Sequence, residues 1–87
     1  MKISIITVCL NSEQTIEKTI LSVINQKNQD FEYIIIDGGS TDNTKKIIDK
    51  YKNNIDLFIS EKDSGIYDAL NKAIDLSTGE IISILHS

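Results

Sequence analysis

With 87 residues, 40% of them hydrophobic and 25% charged, the chain has an ordinary globular composition and amounts to one domain or part of one. That excludes a wholly disordered chain, although a core of this size is thin and only marginally stable. The formal net charge is −4 and the lysines are dispersed, so the basic stripe that grips a phosphate backbone is absent and no nucleic acid partner is expected.

The apolar opening MKISIITVCL is short and turns polar at Asn11 without a small-residue cleavage site, so it reads as neither a signal peptide nor a membrane span. Ile3 to Leu10 is instead a near-continuous apolar run, as in a strand buried on both faces. Within it Cys9, the single cysteine, reads as a small buried hydrophobe; it can form no internal disulfide and fits a reducing compartment. Asn11, with Gln14 three positions on, predicts a helix N-cap. Ile16, Ile20, Leu21 and Ile24 then recur at helical spacing, and the polar segment from Asn25 to Asp30 ends that helix.

Phe31 to Ile36 predicts a second strand, closed by Asp37. Gly38 to Asp42 is a turn carrying helix-capping residues, and Ile47, Ile48 and Tyr51 give the next helical stripe. Asn53-Asn54 breaks it before a half-polar third strand, Ile55 to Ser60. Ser64-Gly65 opens a third helix with Ile66, Leu70, Ala73 and Ile74 on one side, and Gly79 reads as its C-terminal stop. Glu80 to Leu85 is a fourth strand, as apolar as the first and therefore expected to be central or covered.

The order β-α-β-α-β-α-β, with helices long enough to cross over, predicts a Rossmann-like open parallel α/β sheet. There is no repeat, low-complexity tract or linker. Since an apolar strand seldom closes a domain, residues 1–87 are expected to be one subdomain cut from a longer chain. Its last strand would then expose an edge through which the chain self-associates.

In open α/β sheets ligands bind beyond the carboxyl ends of the strands. Those ends are Thr7 to Asn11, Asp37 to Asp42, Ser60 to Gly65 and His86-Ser87. Asp37 is the sharpest residue: it either accepts hydrogen bonds from a ribose or base, or caps the turn that follows it. Gly38-Gly39 either shapes a phosphate cradle or makes a tight strand-to-helix turn. No glycine follows the first strand closely and there is no P-loop sequence, which argues against a dinucleotide site. His86 is the one histidine, so no Ser-His-Asp or zinc arrangement can be built on it. Glu61-Lys62-Asp63 is a charged loop, and Tyr67, Asp68 and Asn71 are either a polar edge of the site or an exposed helix face. Residue chemistry alone thus reaches an α/β domain with an acidic, nucleotide-sized cleft. A non-enzymatic nucleotide-binding or regulatory module, or a purely structural domain, stays open beside an enzyme. A phosphoacceptor receiver would want acids after the first strand, where Asn11 and Ser12 stand.

Four ordered motifs carry a resemblance. Ile5-Ile6-Thr7-Val8-Cys9-Leu10-Asn11-Ser12, Ser22-Val23-Ile24-Asn25-Gln26, Ile34 to Thr44, and Ser60 to Ile74 with Thr78-Gly79-Glu80 are together similar to family 2 glycosyltransferases. The resemblance covers the whole chain and implies the N-terminal half of a GT-A fold. It further implies a nucleotide-sugar donor, often a UDP-sugar, and transfer to a carbohydrate or lipid-linked acceptor, usually with inversion. By the same resemblance Thr7 and Asn11 line the nucleoside pocket and Asp37 bonds the base. Asp63 and Gly65 lie along the donor, and Asn71 matches a common polar helix position. Gly38 stands where many members have a second acid, a mark of the branch with Gly65-Ile66-Tyr67-Asp68. The family's Asp-x-Asp motif, which holds magnesium or manganese, and its catalytic base fall beyond Leu85-His86-Ser87, so no catalytic or metal-ligating residue is expected here and the chain alone should be inactive. The family implies a cytoplasmic place, free or at the inner face of the membrane.

Overall fold

The computed structural model describes residues 2–26, 30–62 and 65–87, with the side chains of residues 65 and 66 left out. Strands β1 (Ile3–Cys9), β2 (Phe31–Asp37), β3 (Leu57–Ser60) and β4 (Ile81–His86) alternate with helices α1 (Ile16–Ile24), α2 (Thr44–Asp49) and α3 (Gly65–Leu76). A short 3-10 turn, Lys52–Asn54, precedes β3. All pairings are parallel and the strand order is β3-β2-β1-β4. This is the Rossmann-like open sheet that the alternating periodicities predict.

The hydrophobic pattern explains why the sheet is covered on both faces. Alternate residues of a strand point to opposite sides. Ile5, Cys9, Tyr33 and Ile35 pack with Ile16, Ile20 and Val23 of α1 and Ile48 of α2. Ile6, Val8, Ile34 and Ile36 face the other way, against Ala69 and Ala73 of α3. Each fully buried isoleucine contributes roughly 1.5–3 kcal/mol. The chain runs outward from β1 through β2 to β3, then α3 crosses back to bring β4 beside β1. The order therefore reverses between β1 and β4, where ligands of such sheets collect.

Within residues 1–87 β4 pairs with β1 at one edge of the sheet, and its Ile81, Ile82 and Ile84 are 46%, 38% and 41% exposed. Three local expectations are corrected. Asn11 does not cap α1, which starts at Ile16 after Thr15; Ser12 O accepts the N–H groups of Thr15 and Ile16 instead. β3 begins at Leu57 rather than Ile55, because the 3-10 turn runs on and Asp56 Oδ2 takes the Tyr33 N–H at 2.7 Å. Gly79 is not a helix stop. α3 ends at Leu76, closed by Ser77 on the Ala73 and Ile74 carbonyls, and Gly79 lies against Ser4.

Candidate functional site

The carboxyl ends of β1 and β2 meet at the paired residues Cys9 and Asp37. Asp37 is fully buried, 0% exposed, and its oxygens are filled from within. Oδ2 accepts the N–H groups of Gly39 at 3.1 Å and Ser40 at 2.9 Å, and the Ser60 hydroxyl at 3.0 Å. Oδ1 accepts the Ser40 hydroxyl and a weak bond from Cys9 Sγ at 3.7 Å. Burial pushes the Asp37 carboxyl up, but the bonds from Ser40, Ser60 and Gly39 outweigh it and hold the group below its ordinary value. Of the two readings of Asp37, the structure displays the turn cap. Gly39, at φ +92°, makes the turn possible, and a Cβ there would stand 2.9 Å from Lys62 Cα. The same buried charge acts on Cys9: burial first, then Asp37, push its thiol up to about 12, so it stays protonated and inert.

The loops after β1 and β2 are bonded to each other. Asn11 N–H donates to Ser40 Oγ at 2.8 Å, and Thr41 N–H donates to Asn11 Oδ1 at 2.8 Å. Ser12 N–H donates to Thr44 Oγ1 at 2.8 Å, whose own hydroxyl turns to Asp42 Oδ1. Asp42 also takes the N–H groups of Thr44 and Glu13. After β4, Ser87 joins the same rim: its N–H reaches Val8 O, and its O accepts the Ser12 hydroxyl at 2.6 Å. Three strand ends thus share one hydrogen-bonded rim.

Of the residues expected in the site, the structure brings Asn11, Asp37 and Gly65 to the carboxyl end of the sheet. Asn11 is exposed on the rim, Asp37 is sealed beneath it, and Gly65 is the first residue of α3. Thr7 lies deeper. It is 0% exposed and its hydroxyl pairs with Tyr33 Oη at 2.8 Å, so it presents no polar atom at the surface. Asn71 is exposed on α3, six residues past Gly65 and so about 9 Å down the helix. Asp63 and Ser64 lie outside the described residues. Tyr67 and Asp68 take the exposed-face reading, His86 is exposed at the end of β4, and Glu61 pairs with Lys72 at 2.5 Å.

Sequence reasoning gave no individual role to Ser40, Ser60 or Thr44, which position the loops. The available signal was a hydroxyl three residues after Asp37 in a turn rich in capping residues. Among the described residues no group of three or more His, Cys, Asp or Glu side chains is placed to hold a metal. With Asp37 and Asp42 committed to their own turns, these residues do not fit a divalent cation. A groove of about 240 Å³ lies between α2 and β3, lined by Ile48, Ile55, Leu57 and Phe58 with Lys45 and Lys52. It sits along the β3 edge, away from the β1–β4 reversal.

A parallel sheet with helices on both faces and three strand ends bonded into one rim defines a Rossmann-like α/β subdomain. The chain belongs to glycosyl transferase family 2, whose model matches residues 4–87. It is 35% identical over 88 residues to the putative teichuronic acid biosynthesis glycosyltransferase TuaG of Bacillus subtilis, covering 98% of this chain and 35% of that protein. It is 37% identical over 79 residues to a PGL/p-HBAD biosynthesis glycosyltransferase of Mycobacterium bovis, covering 87% of this chain and 31% of the relative. Among solved structures, S. aureus TarS 1–349 in complex with UDP-GlcNAc superposes with a TM-score of 0.84 at 30% identity, over 99% of this chain and 26% of that one. The mannosyltransferase PcManGT of Pyrobaculum calidifontis, in complex with GDP-Man and Mn2+, superposes with a TM-score of 0.79 at 25% identity, over 92% of this chain and 25% of that one. The fold is that of the N-terminal region of a GT-A domain. The chain spans about a third of the length of the curated relatives it matches.

Proposed function

We propose that this chain is the donor-binding portion of a glycosyltransferase that moves a sugar from a UDP-sugar to an acceptor hydroxyl, with inversion at the anomeric carbon. One observation carries the reading. The rim ties Asn11 and Ser12 after β1 to Ser40, Thr41 and Thr44 after β2, and Ser12 also bonds Ser87 after β4 across the reversal point, in a sheet that superposes on TarS in complex with UDP-GlcNAc. Loops fixed before the ligand arrives lose less freedom on binding, and this is how a small subdomain can hold a nucleotide. UDP is preferred over GDP because TarS shares more sequence than the GDP-mannose-bound relative.

In this reading the nucleoside lies over Asn11 and the Gly38-Gly39 backbone, with Asp37 and Thr7 beneath. The donor runs toward Asp63 and the first turn of α3 at Gly65. Asn71 stands too far down α3 to share that contact without another element. The described residues supply binding and orientation. Magnesium or manganese would neutralise the diphosphate, and its ligands, like the base that deprotonates the acceptor, are assigned to other parts of the polypeptide. The 87 residues alone are therefore inactive in transfer. The acceptor is a carbohydrate or a lipid-linked acceptor; one relative, TuaG, is named for teichuronic acid biosynthesis. The place is the cytoplasm or the inner face of the membrane, where nucleotide sugars are found.

The test is a titration of the isotope-labelled chain with UDP, with and without manganese, read by amide shifts. Saturable shifts at Asn11, Gly38, Gly39 and Gly65 are expected. A folded sample whose spectrum UDP leaves unchanged in both conditions overturns the assignment of the donor site to this rim and promotes a regulatory α/β module.

A further inference from the structure

The geometry points to Asp37 as a positioning residue that acts through Ser40 on Asn11, and to the side-chain amide of Asn11 as the group that meets the nucleotide. This rests on the donor-binding reading above and assigns its contacts differently from a direct bond between Asp37 and the base.

Asp37 has no exposed surface and accepts two backbone N–H groups and two hydroxyls. A base could reach it only by displacing Ser40 or Ser60, leaving donors unpaired in a dry site. Ser40 has one hydroxyl proton. Because that proton goes to Asp37 Oδ1, the Ser40 oxygen must turn a lone pair outward, and the Asn11 N–H uses it at 2.8 Å. The carboxylate thereby fixes the direction of the bond that holds the β1–α1 loop.

Asn11 needs holding. At φ +48° it is the one non-glycine described residue in the left-handed region, which Asn tolerates better than most side chains but not freely. Two bonds keep it there: its N–H to Ser40, and its Oδ1 from the Thr41 N–H at 2.8 Å. The second also fixes the side-chain orientation, since a backbone N–H requires the oxygen and not the nitrogen. Nδ2 is then turned from Thr41, and no described residue accepts from it. An exposed, oriented N–H donor at the end of the central strand suits a base carbonyl or a phosphoryl oxygen.

The experiment uses the labelled chain with Ser40→Ala, Asn11→Ala, the double variant, Asp37→Asn and Ser40→Thr. Without ligand, Ser40→Ala and Asp37→Asn should move the Asn11 backbone and side-chain amide resonances in the same direction, while the Thr78 and Gly79 amides at the far end of the sheet stay. With UDP, Ser40→Ala and Asn11→Ala should each weaken binding about fivefold, the value of one neutral hydrogen bond. The double variant should be no weaker than either single, because both remove one unit. Ser40→Thr keeps the hydroxyl and should keep the affinity, a rescue that a general loss of packing would not give. Unmoved Asn11 resonances in Ser40→Ala overturn the relay whether or not UDP binds. Losses that multiply in the double variant, or an Asp37→Asn defect that Ser40→Ala does not share, overturn it in favour of direct contact. A wild-type chain that ignores UDP removes Asn11's ligand and the donor-site reading together, while the ligand-free spectra still decide the relay.

Discussion

Gly79 N–H donates to Ser4 Oγ at 2.9 Å, which ties the loop before β4 to the start of β1. Ser4 in turn donates to Glu32 Oε1 at 2.7 Å, and Glu32 receives the Thr78 N–H at 2.7 Å and the Thr78 hydroxyl at 3.2 Å. This is the amino end of the sheet, opposite the proposed site. It fixes how α3 hands over to β4, and hence where β4 lies beside β1.

A methyl group at Gly79 would stand 2.6 Å from Ser4 N, closer than real contacts allow. Gly79→Ala should therefore destabilise the chain by about 1–3 kcal/mol, the cost of overpacking. For a domain of this size that lowers the melting midpoint by roughly 4–8 °C per kcal/mol. Calorimetry checks it, and an unchanged midpoint would show that the β1 end gives way freely.

Acid should weaken the fold through Asp37 and Glu32. At Glu32 burial pushes upward, but Thr78, Ser4 and Lys2 more than offset it, so both carboxyls sit below their ordinary values of 4.5 for Glu32 and 3.8 for Asp37. A folded value below the unfolded one means that the unfolded chain binds protons first as pH falls. The stabilisation is complete above the ordinary values and disappears as pH drops through the lowered ones. Urea unfolding at pH 7 and pH 3 should show the loss, and Asp37→Asn should shrink the difference between the two while lowering stability at pH 7.

Cys9 should resist thiol reagents. It is 1% exposed and its thiol is pushed up to about 12, so thiolate is scarce in the folded chain at neutral pH. Ellman's reagent should react only at the rate of unfolding and rapidly in denaturant. Fast labelling of the native chain would mean that the β1–β2 end opens readily.

The β4 edge should drive self-association of the 87-residue chain. Between Ile81 and His86 it carries no lysine, acid or proline to discourage pairing, and three isoleucines are exposed. Sedimentation should show an average mass that rises with concentration. Ile82→Lys should return it toward the monomer, whereas a wild-type chain that stays monomeric at high concentration refutes the expectation.

Much of this was legible along the chain because it depends on near neighbours. The strand of three isoleucines before Asp37, the helical stripe from Ile16 to Ile24 and the alternation of periods announce a parallel α/β sheet. The ordered motifs identified the family, and the family's model matches over residues 4–87. The start of α1 was misread because Asn11 and Gln14 imitate a capping pair, while the bonds that decide Asn11 come from residues about thirty positions away. Composition does not order the strands either: β4 resembles β1, and only pairing shows that within residues 1–87 β1 lies between β2 and β4.

Sequence alone determined the element types, their order and the family, since local periodicity and motif spacing are written in consecutive residues. Only the tertiary structure decided what Asp37 does. In a linear reading its carboxylate is either a ligand contact or a cap of the turn that follows it, with nothing to choose between them. It became an internal clamp because Ser40, Gly39 and Ser60 converge on it from two different strand ends. A buried charge is tolerated only where enough donors meet it: Gly39 and Ser40 lie two and three residues on, but nothing near Asp37 along the chain announces Ser60, 23 residues away.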